Sequence, residues 1–362
     1  MDAARWQHKN AEKSGRLIER RPIAENQASA KTNIIGDGTV KIRLIASSIA
    51  AGLLLAPVAG QAQDFPSKPI HLVVPFSAGG TTDTLARIMA DEMAKSLGVT
   101  FVVENKPGAS GVIGLTAVAH AAADGYTIGL ASPGSTSIAT AMGKDLPYDV
   151  LKDFTFVSPV AYYDNALVVS ADFPVNSVQE LIKYSKEHPG KLTYGGSSIG
   201  SSTHLQGEML KRATGLDMEH VAFKGGGEQI QALVGGHIKI GVIGLSATTN
   251  FIKEGQLRAL AVLNTQRAAA VPDVPAITEE VPGYDPSMNW YGMVAPKGIP
   301  QEAIDRLNAA IQDAVRNAEA AEKASARGIE LFGGSPKDLA DLVAKEVAGM
   351  KEAVDIAGIR QQ

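Results

Sequence analysis

The sequence predicts an α/β fold of two lobes, each a mixed sheet flanked by helices. With 362 residues, the chain exceeds the length that usually folds around one core. Apolar runs rich in β-branched residues lead into Gly- or Ser-rich loops and then into stretches of helical spacing. This alternation is typical of sheets with parallel strands. It forms one series up to about residue 164 and starts again after it.

The first series opens with the apolar run Ile70 to Phe76, which we expect to be a buried strand, and helical spacing follows up to Gly98. The turn Ser77 to Asp83 lies between them and contains two glycines, which can adopt positive φ and leave N–H groups uncovered. Because it has no Lys or Arg, it suits a small anion held by hydrogen bonds at the helix start. A plain turn with Asp83 as a helix cap explains these residues equally well.

Two further strands are predicted in this series, at Val99 to Glu104 and Tyr126 to Ala131, with a helix at Val112 to Ala122 between them. The loops Asn105 to Gly111 and Ser132 to Ser137 follow these strands. Loops after parallel strands meet at one edge of the sheet, where ligands bind. We therefore expect both loops to lie near the first turn.

The second series has its own strands and helices. A capping box at Ser177 to Glu180 opens one helix, and another ends at Gly215. The predicted strands are Leu167 to Ser170, Leu192 to Gly195, Glu219 to Phe223 and Leu257 to Leu263, and the apolar stretch Ile238 to Leu245 completes this lobe.

The C-terminal part contains several prolines, a strand at Trp290 to Ala295, and two helices that begin at Pro300 and at Ser335. We expect these helices to pack on the first lobe. The chain would then cross between lobes near Tyr163 to Ala166 and near Leu263 to Gln266. Residues 64–164 and 266–362 would form lobe 1, and residues 165–265 lobe 2. Two lobes with a double crossover and a cleft between them describe a hinged ligand-binding protein.

Composition excludes several classes of function. A charged content of 20%, a net charge of −4 and an aromatic content of 5% give no reason to expect nucleic acid as a partner. The absence of cysteine excludes disulfides, thiolate metal sites and cysteine nucleophiles. The seven histidines have no metal-binding spacing and no phosphate-binding loop motif occurs, so we expect no metal and no cofactor.

The N-terminus predicts export. Lys41 and Arg43 precede the apolar stretch Leu44 to Val58, and small residues suited to cleavage end at Ala62. Residues 40–62 are therefore predicted to be a secretory signal peptide. Residues 1–39 are polar and without period, and we interpret them as a non-native extension before a true start at Val40.

One motif favours a different class, a secreted serine esterase. Gly196 to Gly200 matches G-x-S-x-G between a predicted strand and a predicted helix, which would make Ser198 the nucleophile of an α/β-hydrolase. A chain with 37 glycines matches so short a pattern by chance, however. The neighbouring run of Ser and Thr is more typical of a hydrogen-bonding surface, so we favour a binding protein that is not an enzyme.

A series of stretches, in order from about Phe65 to Met350, resembles the Bug (TctC-like) family, the periplasmic solute-binding receptors of tripartite tricarboxylate transporters. They are VVPFSAGGTTDTLAR (Val73 to Arg87), VVENKPGASGVIG (Val102 to Gly114), DGYTIGLAS (Asp124 to Ser132), LPYDVLKDFTFVSPVA (Leu146 to Ala161), FKGGGEQIQALVGGHI (Phe223 to Ile238), LRALAVL (Leu257 to Leu263), VPDVPAITE (Val271 to Glu279) and WYGMVAPKGIP (Trp290 to Pro300).

The resemblance implies a two-lobed periplasmic-binding-protein fold of type 2 that closes on a small organic carboxylate. It also implies a periplasmic location, and delivery of the ligand to a membrane permease of one large and one small subunit. We expect the receptor itself to be a monomer. The sequence departs from the family pattern at Lys239 and along Gly241 to Asn250.

The resemblance also implies a set of ligand-binding residues. Among them, Asp83 would either bind a substrate amine or cap its helix, and Lys224 would either meet a carboxylate or be solvated. The implied residues are Phe76, Ser77, Ala78, Gly79, Gly80, Thr81, Asp83, Pro107, Gly108, Ala109, Ser132, Ser135, Ser197, Ser198, Ser201, Lys224, Gly225 and Gly226.

Overall fold

The computed structural model describes residues 65–143, 145–286 and 289–359. The predicted signal peptide at residues 40–62 and the predicted extension at residues 1–39 lie outside these described residues. Within the described part of the chain, each helix is too short or too polar to cross a membrane.

The first lobe is built on a six-stranded mixed sheet with the strand order β11-β4-β10-β3-β1-β2. Strand β1 pairs in parallel with β2 and β3, whereas β10 is antiparallel to β3 and β4. The strands are β1 (Ile70–Val74), β2 (Phe101–Asn105), β3 (Thr127–Ala131), β4 (Phe154–Tyr163), β10 (Trp290–Pro296) and β11 (Ile329–Leu331).

Helices cover both faces of this sheet. One core cluster joins helices α1 and α9 to the sheet, and a second joins α2 and α11 to it. The helices are α1 (Thr81–Leu97), α2 (Val112–Ala119), α3 (Ser137–Ala141), α9 (Gln301–Arg316), α10 (Ala318–Ser325) and α11 (Pro336–Ala357).

The second lobe is built on a five-stranded mixed sheet with the strand order β7-β6-β8-β5-β9. Its strands are β5 (Asn165–Ser170), β6 (Leu192–Ser197), β7 (Met218–Phe223), β8 (Ile240–Gly244) and β9 (Leu257–Val262). Its helices are α4 (Val178–Glu187), α5 (Ser202–Thr214), α6 (Gly226–Val234), α7 (Leu245–Lys253) and α8 (Ile277–Glu280). Two mixed sheets flanked by helices confirm the predicted fold class.

Local signals located several helix ends correctly. Gly98 and Gly215 follow helices α1 and α5 in the left-handed conformation, with φ of 70° and 72°. The side chains of Ser177 and Ser335 accept hydrogen bonds from the main-chain N–H groups of Glu180 and Asp338, as N-caps do. These ends depend only on neighbouring residues, which is why the sequence predicts them.

Strand β4, the short helix α10 and the edge strand β11 were not predicted. Strand β4 spans Phe154–Tyr163 and runs next to β10 in the middle of the first sheet, although it contains Pro159. A proline argues against a central strand because it lacks an N–H group. The register between β10 and β4 shifts near Pro159, between Tyr291 and Gly292, and this irregularity accommodates it.

The first crossing between lobes is confined to Asp164, which lies between the end of β4 and the start of β5. The second crossing expected near Leu263 to Gln266 needs a correction. Residues 268–284 remain on the second lobe, where Ala268 and Val271 join one apolar cluster and Tyr284 joins another. Buried apolar contacts hold this proline-rich stretch, so the chain returns to the first lobe only before β10.

The last helix packs on the first lobe, as expected, and it also contacts the second lobe. Leu339 and Val343 near its start belong to a core cluster of the first lobe. Near its end, Met350 and Val354 share a cluster with Leu205 of helix α5, which belongs to the second lobe. Helix α11 therefore connects both lobes.

Candidate functional site

The turn between β1 and α1 presents main-chain donors toward the second lobe. Gly79 has a φ of 78°, and Gly80 precedes the helix without a side-chain cap. The first N–H groups of α1 thus lack a side-chain cap, and the carboxylate of Asp83 lies in the same first turn. Within the described residues, the buried hydroxyl of Ser77 has no hydrogen-bond partner.

Helix α6 of the second lobe begins opposite this turn. Its N-cap, Gly225, also makes no side-chain capping bond. A Cβ atom built on Gly80 would lie 3.4 Å from the amide nitrogen of Gly226, and one on Gly225 would lie 3.0 Å from that of Ser77. Two uncapped helix N-termini from opposite lobes therefore meet, together with an unpartnered hydroxyl, and such a place suits a carboxylate.

The predicted loop Ser132 to Ser137 also faces the second lobe, since a Cβ atom built on Gly134 would lie 3.4 Å from the Cα of Ser201. The N–H group of Ser132 donates to the hydroxyl of Ser135 at 3.2 Å, and that hydroxyl donates to the carbonyl oxygen of Ser132 at 3.1 Å. Tyr148 donates its hydroxyl to the carbonyl oxygen of Ser135 at 2.6 Å. The hydroxyl of Ser135 thus stabilises its own loop, and its role in ligand binding stays a prediction.

The second-lobe serines have different roles. Ser197 donates its N–H group to the hydroxyl of Thr203 at 2.9 Å, and Ser198 donates its hydroxyl to the carbonyl oxygen of Phe223 at 3.4 Å. Ser201 is the N-cap of helix α5 and accepts a bond from the N–H group of His204. The hydroxyl oxygen of Ser201 thus caps a helix and lies 3.0 Å from that of Thr203, and its role in ligand binding stays a prediction.

The carboxylate of Asp83 is bonded by neighbours on its own lobe. It accepts the N–H group of Gly79, two bonds from Arg87 and one from Asn105, all at 3.0 Å. Burial by itself would raise the pKa of Asp83, but the bonds from Arg87, Gly79 and Asn105 lower it below its usual value. These bonds hold the turn in shape and favour the structural alternative for Asp83 over a bond to a ligand amine.

Other predicted residues are exposed or half-buried and bond within their own lobe. Lys224 is exposed, and its main-chain N–H group donates to the carboxylate of Glu228 at 3.2 Å. The main-chain oxygen of Phe76 accepts a bond from Asn105 at 3.0 Å. Pro107, Gly108 and Ala109 lead into a tight turn, and Ala109 has a φ of 47° although it is not glycine.

Sequence reasoning missed two serines that bond across the lobes. Ser246, at the start of helix α7, donates to the hydroxyl of Thr81 at 2.8 Å. Ser110, in the turn after β2, donates to the carbonyl oxygen of Ile199 at 2.7 Å. Both follow a strand and precede or open a helix, which is the pattern that located the other loops. In addition, Tyr291 bonds the hydroxyl of Thr82 at 2.7 Å at the base of helix α1.

The described residues contain no group of three or more His, Asp or Glu side chains arranged to hold a metal ion. The donors that line the cleft are main-chain N–H groups, hydroxyls and helix ends. Chemically, this arrangement can bind an anion by hydrogen bonds.

Known proteins match the chain over most of its length. The family model described as "Tripartite tricarboxylate transporter family receptor" (TctC) matches residues 85–359. The protein BugT of Bordetella pertussis is 33% identical over 309 residues, which are 84% of this chain and 94% of BugT.

Solved structures of similar sequence have the same two-lobed fold. The R. palustris protein Rpa4515, solved with adipate, is 35% identical with a TM-score of 0.77, covering 82% of this chain and 99% of that one. MatC from Rhodopseudomonas palustris, solved with bound malate, is 32% identical with a TM-score of 0.75, covering 80% of this chain and 100% of that one. On the family match and these identities, the chain belongs to the TctC family of tripartite tricarboxylate transporter receptors.

Proposed function

We propose that this protein is an extracytoplasmic receptor that closes over a small carboxylate. The observation that carries the proposal is the meeting of two uncapped helix N-termini, at Gly80 in one lobe and Gly225 in the other, beside the unpartnered hydroxyl of Ser77. A carboxylate between them would accept N–H bonds from both lobes, and its binding would favour the closed arrangement. The relatives solved with adipate and malate support a ligand of this class.

The same proposal includes export and a membrane partner. The signal peptide predicted at residues 40–62 would deliver the chain to the periplasm, where its family works. The closed receptor would then pass the carboxylate to the large and small subunits of a tripartite permease. Family membership supports this partnership.

We infer a binding role without catalysis. The serine esterase alternative needs Ser198 to deliver its proton to a base, yet this hydroxyl donates to the main-chain oxygen of Phe223. A main-chain oxygen cannot take up a proton, so the observed bond favours a structural hydroxyl.

Thermal unfolding of the mature chain from Gln63 onward tests the receptor proposal. The panel contains mono-, di- and tricarboxylates, aromatic acids and acidic amino acids, with the neutral diamide of each dicarboxylate as its matched control. A ligand at a hundred times its Kd adds about 2.7 kcal/mol of stability, which raises Tm measurably. We expect a rise with a subset of the acids and none with the diamides.

Two outcomes contradict the proposal. Equal shifts with acids and diamides would show that the carboxylate is not recognised. Hydrolysis of ester substrates that Ser198→Ala abolishes would establish the esterase instead.

A further inference from the structure

The turn after β2 holds two residues in an unusual conformation. Ala109 and Ser110 have φ of 47° and 59°, in the left-handed region that non-glycine residues rarely adopt. Gly108 and Gly111 on either side also have positive φ, of 132° and 95°. Such strain persists where the surrounding structure enforces it, and it is common at functional sites.

The packing of the first lobe enforces this turn. A Cβ atom on Gly111 would lie 3.1 Å from the Cβ of Ser135 and 3.2 Å from that of Pro75. Little space is therefore left for the turn to relax, and Ser110 itself is fully buried. The direction of its side chain is thus set within the first lobe.

The hydroxyl of Ser110 points out of its own lobe. It lies 2.7 Å from the carbonyl oxygen of Ile199 and 3.2 Å from that of Ser198, on the loop before helix α5. Gly134 meets the same loop, since a Cβ atom on it would lie 3.4 Å from the Cα of Ser201. Hydroxyl and acceptors belong to different lobes, so this bond exists only while the lobes touch.

We propose that Ser110 is a closure latch, a positioning residue that stabilises the closed arrangement and slows ligand release without touching the ligand. This inference rests on the proposed function. A bond made only in the closed state shifts the equilibrium between open and closed forms, and the apparent affinity depends on that equilibrium. Because this bond must break before the lobes can open and release the ligand, its energy acts mainly on koff.

Two substitutions at Ser110 distinguish loss of the hydroxyl from a change in the conformation of the turn. Ser110→Ala removes the hydroxyl and keeps the strain, whereas Ser110→Gly removes the hydroxyl and tolerates the positive φ. For a carboxylate from the thermal panel, we expect Kd to rise about five- to tenfold in both variants. The rise should come from koff, with kon changed less than about twofold.

Ser185→Ala is the matched control. Ser185 is also buried, and its hydroxyl accepts the N–H group of Asp217 at 2.9 Å within the second lobe. This variant should lose stability and keep the wild-type Kd. Wild-type affinity in either Ser110 variant overturns the latch, as does an equal loss of affinity in the control.

A distance measurement separates the latch from the proposed function. The chain has no cysteine, so spin labels can be placed at Leu151→Cys in the first lobe and Val234→Cys in the second, both exposed positions. Ser110→Ala should shift the distance distribution toward longer values in the free protein and at half-saturating ligand. Unchanged distributions overturn the latch. If no carboxylate stabilises the wild type, the proposed function fails. The latch is then tested only by the distance distributions of the free wild type and the free Ser110→Ala variant.

Discussion

At the scale of single residues, the shape of the cleft depends on polar side chains that form hydrogen bonds with other groups of the protein. Asp83 illustrates this, since its carboxylate joins the turn, helix α1 and the end of β2 through Gly79, Arg87 and Asn105. Its side chain is 7% exposed, whereas that of Arg87 is 55% exposed. Breaking the ion pair between Asp83 and Arg87 would therefore cost stability mainly through the buried Asp83 carboxylate, because Arg87 can remain hydrated.

Replacing Asp83 should destabilise the protein. For Asp83→Asn we expect a loss of about 1.5–3 kcal/mol at pH 7, the usual worth of hydrogen bonds to a charged group. The lowered pKa means that the ionised carboxylate stabilises the fold above the unfolded pKa, near 3.8, and that this stability is lost as pH falls through the lower folded value. Urea unfolding should therefore show the difference between variant and wild type shrinking below about pH 4. A constant difference at pH 7 and pH 3 would contradict this account.

His220 should make stability depend on pH in a higher window. Burial lowers the pKa of His220 from 6.5 to about 4 in the folded protein, where its ring stacks on His204 with centroids 4.1 Å apart. Between these values the unfolded chain binds a proton that the folded chain does not, so stability falls as pH decreases from 6.5 toward 4. His220→Gln should remove this part of the urea-midpoint profile. A variant profile parallel to that of the wild type would disprove it.

At the scale of helices and strands, the final helix depends on its first residue. The hydroxyl of Ser335 accepts the N–H group of Asp338 at 3.2 Å, while the Asp338 carboxylate accepts the N–H group of Ser335 at 2.7 Å. Since α11 packs on both lobes, fraying of this helix would weaken contacts in each of them.

Ser335→Ala should cost about 1 kcal/mol of folding stability through loss of the N-cap. Ser335→Asp is the control, because aspartate also caps helices and should restore most of that loss. Chemical denaturation of the three proteins measures both effects. Equal stability of the alanine variant and the wild type would show that the cap contributes nothing here.

At this scale, the sequence-based prediction agrees with the structure where the conformation of a residue depends only on its neighbours in the chain. The helix ends at Gly98, Gly215 and Ser335 are such cases. Strand β4 was missed because its partner β10 lies far away in sequence and compensates for Pro159. The site behaves similarly: the glycine turn was predicted, whereas the use of Ser135 and Ser201 as loop and helix caps was not.

At the scale of the whole molecule, glycines allow the two lobes to approach each other. Gly227 lies in the first turn of helix α6, and a Cβ atom on it would overlap the carbonyl oxygen of Ala78 in the first lobe. The same helix would gain stability from alanine, which forms helices better than glycine by about 1 kcal/mol. At this position, helix stability thus favours alanine, whereas closure of the lobes requires glycine.

Gly227→Ala should keep or raise Tm of the free protein while it weakens carboxylate binding more than about tenfold, because the closed contact is blocked. Gly349→Ala is the matched control. It introduces the same methyl group into helix α11, where nothing lies within 4 Å, and should raise Tm without changing Kd. Calorimetric titration and thermal unfolding measure the two effects. Unaltered affinity in Gly227→Ala would show that closure does not need this approach.

The sequence by itself determined the two-series α/β pattern, several helix ends and the glycine turn, and it carried the family resemblance. These features follow from local preferences and from motifs that are contiguous in the chain. Only the tertiary structure decided which polar groups cap their own loops and which join the lobes. The physical reason is separation: Ser110 meets Ile199 across 89 positions and Ser246 meets Thr81 across 165. No local pattern encodes such a pairing, because it exists only where the two lobes meet.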